Sequence, residues 1–217
     1  MTTATVLASV RTLLDEANAS YWENTEVYQS LTDAQNAMCG LALSVYQTKL
    51  NATSNGDVDI PLILEPLHTT KSGTLPFGQD TITLPNPVLS VISVQYNPNA
   101  TTPLYPVRMR ERSEASVFQK SNSYLGSIGN DYYVRFKGNI ILIFETASAF
   151  DYAGYSIEII AQPIDISASV DPILPDITQL SLVEFAFSKL LAKDQRTQES
   201  SDAFNKFMSL SQPLVIL

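Results

Sequence analysis

The sequence predicts an α+β protein, with N- and C-terminal helices forming a helical bundle and an antiparallel β-sandwich or barrel-like subdomain inserted between them. Three observations predict it. None of the twelve prolines precedes Pro61, and none falls between Pro175 and Pro213. The glycines follow the same map, since only Gly40 and Gly56 precede Pro61 and none follows Gly154. Both residue types punctuate helices and mark turns, so the two ends are free to be helical. Finally, apolar residues recur at helical spacing near the ends and alternate in the middle. The resulting division is residues 1–55 for the first helices, 56–170 for the β-rich insert, and 171–217 for the last helices and an extended arm. Together they form one composite domain, and 217 residues suffice for a sizeable core.

The first helix is expected over about residues 5–18, with Val6, Leu7, Val10, Leu13, Leu14 and Ala17 on one apolar face. A break follows at Ser20, Tyr21 and Trp22. A long helix then opens at Glu23 or Asn24, with Glu26 favourably placed in its first turn. Val27, Leu31, Ala34, Met38, Leu41 and Val45 form a heptad-like stripe along it. At 1.5 Å per residue this helix is ~40 Å long. Gly40 costs helix propensity and reads as a place for a close helix crossing. Cys39 is the only cysteine and reads as a small buried hydrophobe, which excludes an internal disulfide.

In the middle, Val88, Ile92, Val94 and Tyr96 mark one strand face, and Tyr132, Val134 and Phe136 alternate with Tyr133 and Arg135. Gly138-Asn139 fits a two-residue hairpin turn. Residues 140–144 are continuously apolar, as in a central strand. Tyr155, Ile157, Ile159 and Ala161 alternate until Pro163 ends the strand. Residues 60–64, 81–84 and 104–109 are further short strands, while 65–80 reads mainly as a long loop. At the C-terminal end, Ile177, Leu180, Val183, Phe187, Leu190 and Leu191 make an apolar helix face. A polar stretch over 193–202 leads to a short helix carrying Phe204, Phe207 and Met208. Pro213 stops it ahead of the apolar Leu214, Val215, Ile216 and Leu217.

The net charge is -9, and no basic arm exists to neutralise phosphates, which argues against conventional nucleic-acid binding. The densest basic stretch, Arg108, Arg110 and Arg112, reads as a solvated strand edge or an intersubunit salt bridge. A charged fraction of only 16% suits a chain that hides surface in an oligomer. No apolar run approaches the ~20 residues of a membrane span, and no signal-peptide plan opens the chain.

Chemistry-bearing patterns are sparse. His68 is the only histidine, and one His with one Cys leaves zinc short of ligands. Asp57-Val58-Asp59 lacks the calcium-loop pattern, and Asp15-Glu16 do not face each other on a helix. Thr69-Thr70-Lys71-Ser72-Gly73 lacks the glycines of a phosphate loop and reads as a flexible loop. The sequence therefore predicts no catalytic, metal or cofactor residue and no cofactor, and the chain reads as a structural protein and not an enzyme.

Three stretches in order carry a resemblance: Leu13-Leu14-Asp15-Glu16-Ala17 followed by Tyr21-Trp22; then Thr32-Asp33-Ala34-Gln35 within a long helix; then, past the β insert, Leu174-Pro175 and Leu182-Val183-Glu184-Phe185-Ala186. This layout resembles the head-to-tail connector (adaptor, or head-completion) proteins of tailed bacteriophages. The resemblance implies a homo-oligomeric ring, typically a dodecamer, in the virion neck. It also implies a portal protein above, a tail or nozzle protein below, and DNA passing through without specific binding. Residues 198–217 are then expected to dock on the portal, with Phe204, Phe207, Met208, Leu214, Val215, Ile216 and Leu217 as partner-binding residues; the alternative is a tail folded back on its own core. Trp22 joins them as an interface residue or else anchors the first two helices to each other. Other readings are a stopper or tail-terminator ring subunit, a glycan- or fibre-docking module using Tyr132, Tyr133 and Tyr155, and a hydrolase with scattered carboxylates.

Overall fold

The computed structural model describes residues 1–16, 21–52, 58–76, 81–84, 88–97, 103–106, 110–111, 132–136, 139–143 and 152–216. Ala17, Ser20, Gly56, Asp57, Arg108, Arg112, Gly138, Phe144 and Leu217, singled out above, lie outside the described residues. So do the side chains of Arg110, Tyr132, Tyr133, Val134, Phe136 and Ile216. The fold is α+β, as expected, and its contacts divide it into two units. A helical unit comprises residues 1–66 and 163–217, and a β unit comprises 67–162. Residues 163–170, assigned to the insert from sequence, belong with the helices.

Four helices build the helical unit among the described residues: α1 (Thr3–Leu13), α2 (Asn24–Ala52), α3 (Gln179–Lys193) and α4 (Thr197–Ile216). Helix α3 touches each of the other three. Helix α1 is capped by Thr2, whose hydroxyl accepts the Thr5 N–H at 3.3 Å. It ends earlier than its periodicity suggests because Asp15 adopts a left-handed φ of 58°. The N–H groups of Asp15 and Glu16 then donate to the Thr12 and Arg11 carbonyls at 3.2 and 2.9 Å, a Schellman closure made without glycine. Helix α3 closes in the same way around Gln195, with φ of 61°.

The buried faces differ from the sequence reading in instructive ways. On α2, Val27, Leu31, Ala34 and Met38 are fully buried, but the seam then rotates onto Cys39, Ala42 and Tyr46 and leaves Leu41 and Val45 half-buried. A straight α-helix drifts away from a strict heptad in this direction. Gly40 is exposed and a Cβ there would meet nothing within 4 Å, so it is not a crossing point. On α3 the core takes Leu182, Val183, Phe185, Ala186, Leu190 and Leu191, while Phe187 is half-buried. Ile177 and Leu180, expected inside, are 56% and 65% exposed.

Among the described residues the β unit contains two four-stranded sheets. One has the order β1 (His68–Pro76), β8 (Tyr152–Ala161), β3 (Val88–Asn97), β4 (Tyr105–Pro106). The other has the order β2 (Thr81–Leu84), β7 (Asn139–Ile143), β6 (Tyr132–Phe136), β5 (Arg110–Glu111). All pairs are antiparallel except β5 with β6. Ile82 and Leu84 of the second sheet share one apolar cluster with Leu75, Val88, Val94, Tyr96, Ile157 and Ile159 of the first. Strand β7 is internal, as its apolar run predicts. Asn139 pairs with Phe136 and is therefore a strand residue, one step past any turn.

Three further expectations change. Residues 60–64 form a turn, closed by the Leu64 N–H to the Pro61 carbonyl at 2.7 Å. The polar run from His68 to Gly73 is part of an edge strand paired along its whole length with β8. Its Thr and Ser side chains lie exposed, which is why it lacks the apolar alternation of a half-buried strand. On β3, register shifts after Val88 and after Val91 change the phase of alternation. Val91 accordingly packs against the core where simple alternation placed Ile92.

Candidate functional site

Helices α3 and α4 form a hairpin whose centre is aromatic. The Phe185 and Phe207 rings meet edge to face at 4.9 Å, and Phe204 lies 5.7 Å from Phe207 and 6.2 Å from Phe185. Phe207 is 1% exposed, whereas Phe204 is 44% exposed at the rim. The hairpin is stapled by Lys206 Nζ to Glu184 Oε1 at 2.7 Å and by the Ser200 hydroxyl, which donates to the Ser188 carbonyl at 2.9 Å. Beside Phe204 opens a cleft of about 370 Å³ whose lining includes Phe185, Ser188, Lys189, Ala192 and Ser200.

The segment expected as a reaching arm is a single 20-residue helix lying against α3 and α2. Pro213 lies inside it instead of ending it. A proline removes one backbone hydrogen bond. Here the last turn carries Val215, which is 4% exposed, so apolar burial holds the chain helical beyond the proline. Leu41 and Val45 of α2 with Met208, Ser211, Gln212 and Val215 of α4 line a groove of about 280 Å³. Met208 and Leu214 are half-buried. Of the residues named for partner contact, the structure thus leaves Phe204 open and puts Phe207 and Val215 inside.

Trp22 is also internal, at 6% exposure. Tyr21 meets it edge-on at 5.0 Å, and Lys193 Nζ of α3 lies 5.3 Å from its ring centroid. Beneath it Arg11, 7% exposed, donates to the Trp22 carbonyl at 2.9 Å and to Glu16 at 3.1 Å. The other Glu16 oxygen accepts the Tyr21 N–H at 2.8 Å. Lys193 pairs with Glu26, which holds that carboxyl below its usual value. The end of α1, the start of α2 and the end of α3 are therefore joined at one polar node around a single indole. Arg11 was invisible to the sequence reading, and its only signal was a cation within an otherwise apolar helical face.

A second set of buried polar groups secures the chain returning from the β unit. Gln35, fully buried on α2, donates to the Ile164 carbonyl at 3.0 Å and accepts the Ile173 N–H at 2.9 Å. Thr32, one turn earlier, accepts the Ile166 N–H at 2.9 Å. Thr3 donates its hydroxyl to the Val170 carbonyl at 2.8 Å and its N–H to Asp171 at 2.7 Å, which lowers the Asp171 pKa. Thr32 and Gln35 belong to the stretch Thr32-Asp33-Ala34-Gln35 named above, so part of the resemblance rests on this clamp.

The residues considered for chemistry disperse. His68 begins strand β1, with Nε2 buried and unpartnered among the described residues. Cys39 is buried and its pKa is pushed up to about 12 by desolvation, far from a reactive thiolate. Glu16 serves the Arg11 node, and Lys71 lies on β1. Among the described residues no group of three or more His, Cys, Asp or Glu side chains is arranged to hold a metal ion. No described helix is long and apolar enough to cross a membrane. Charge is partitioned sharply: the helical unit holds six basic and fifteen acidic residues, a net of -9, and the β unit holds seven of each.

A search of curated proteins gives no match. The motif-bearing stretches are instead explained by a family comparison: residues 1–213 match the SU10 adaptor protein family, and with nearly the whole chain covered the protein belongs to that family.

Proposed function

We propose that this chain is the subunit of a head-to-tail adaptor ring in a tailed bacteriophage, joining the portal protein to the tail or nozzle protein. The observation that carries the reading is the family match over residues 1–213, which agrees with the ordered resemblance and with a structural, virion-borne role. The fold supports it by placing a β unit as an insert within a helical unit. The copies form a closed ring, with twelve as the expected number, and DNA passes through it. The helical charge of -9 suits a wall that repels DNA and does not grip it.

In this reading the α3–α4 hairpin meets the portal. Phe204 at the rim of its cleft and the end of α4, with Met208, Leu214, Ile216 and Leu217, supply the contact. Phe207, Val215 and Trp22 hold that surface in shape from within. The test is attachment of the purified full chain to purified portal. Phe204→Ser lowers attachment at least about tenfold, as expected for loss of an aromatic anchor, while the melting temperature falls only slightly because the ring lies at the rim. Deletion of 213–217 removes attachment as well. Wild-type attachment by both variants would refute the hairpin as the portal contact.

A further inference from the structure

The stretch 164–180 is built unlike the rest of the helical surface. Its inward side chains are fixed: Ile166 and Leu174 are 3% exposed, Thr178 is fully buried, and Pro163 and Pro172 are buried. Its backbone is held by Gln35 at Ile164 and Ile173, by Thr32 at Ile166 and by Thr3 at Val170. Between those points it turns large apolar side chains outward, with Ile164 67%, Ile173 37%, Ile177 56% and Leu180 65% exposed. Ile177 and Leu180 are one helical turn apart and share a face. Asp165, Asp171 and Asp176 are exposed among them, Asp176 paired with the N-terminal ammonium, and no lysine or arginine occurs between Lys137 and Lys189.

We infer that this clamped stretch is a preformed docking surface for a cationic protein face bearing an apolar pocket. The inference rests on the adaptor reading for the identity of the neighbours. Charge selects the occupant. Among the described residues, cations of the helical unit are already paired inside it, as Arg11–Glu16, Lys189–Asp33, Lys193–Glu26, Arg196–Glu199 and Lys206–Glu184. What remains outward is strongly acidic. Nucleic acid, an anionic bilayer and the helical unit of a second copy all carry the same sign and are repelled. A basic protein surface is attracted, and the fixed backbone spares it the cost of ordering the loop. The apolar side chains supply the short-range contact while the aspartates steer the approach.

The full chain is mixed with purified portal protein and, separately, with purified tail or nozzle protein, and complex formation is measured at low and high salt. With one of the two, the complex weakens about tenfold between about 0.05 and 0.5 M NaCl, as rim charges are screened. Leu180→Asp and Ile177→Ser each weaken it by about tenfold or more through loss of apolar burial. Leu180 lies in the first turn of α3, where an acid is favourable, so Leu180→Asp leaves the fold intact and its melting temperature serves as the control. Variants that bind both neighbours like the wild type, or a complex indifferent to salt, overturn the docking surface and leave the adaptor reading standing. A wild-type chain that binds neither neighbour overturns both. A loss confined to self-association assigns the surface to a second copy and overturns the inference.

Discussion

The two units of this chain are stabilised by different physics. In the β unit, sheet ladders carry the backbone and one apolar cluster, from Leu75 to Ile159, joins the two sheets. Its basic and acidic residues cancel. In the helical unit, the apolar seams are supplemented by buried polar side chains that reach across to backbone: Gln35, Thr32, Thr3 and Arg11. All the net charge resides there. The difference teaches that the insert folds as a conventional core, whereas the helical unit uses side-chain clamps to fix irregular chain on its surface. A surface held that way is suited to meeting other proteins.

The contrast can be broken from both sides. Ile157→Ala, in the β core, lowers stability by about 3–4 kcal/mol through lost burial and a residual cavity, read as a shift of the denaturant midpoint. Gln35→Ala, in the helical unit, lowers it by about 2–3 kcal/mol by stranding the Ile164 carbonyl and the Ile173 N–H. A cost for Gln35→Ala well under 1 kcal/mol would show that water replaces the clamp. Gly40→Ala raises stability by about 1 kcal/mol, because the site is an exposed helix interior with room for a Cβ. Gln195→Gly raises it by about 0.5–1 kcal/mol by relieving a left-handed backbone at the close of α3.

The smallest effect concerns pH. Asp171, lowered from 3.8 by Thr3, and Glu26, lowered from 4.5 by Lys193, have folded pKa values below their unfolded ones. Their contributions are therefore full above those ordinary values and are lost as pH falls through the depressed ones. Asp171 is exposed and Glu26 only half-buried, so solvent screening keeps the effect slight. The Thr3 amide resonance, followed by NMR, titrates with a midpoint below 3.8, the ordinary Asp171 value.

The sequence made the α+β plan legible because proline and glycine mark where helices cannot run. Helix α2 and strands β2, β7 and β8 lie where periodicity put them. Helix ends were less legible, since Asp15 and Gln195 take the left-handed turn usually marked by glycine. Strand β1 is hidden because an edge strand with exposed Thr and Ser shows no apolar alternation. The β3 face was misphased at Ile92, because a bulge is invisible to simple alternation. The extent of α4 is missed because the burial of Val215 beside Leu41 and Val45 of α2, a tertiary effect, outweighs the local signal of Pro213. Ile177 and Leu180 were assigned to the core for a related reason. Spacing shows that apolar residues share a face, but not whether that face is covered by this chain or by another.

The central claim is that this chain works as a ring between portal and tail. Mass measurement of the purified full chain, alone and mixed with portal, tests it most directly. The expected mass is a closed multiple of the subunit, about twelve copies as the resemblance implies, joined to the portal in the mixture. A strict monomer that leaves the mass of the portal unchanged would contradict it.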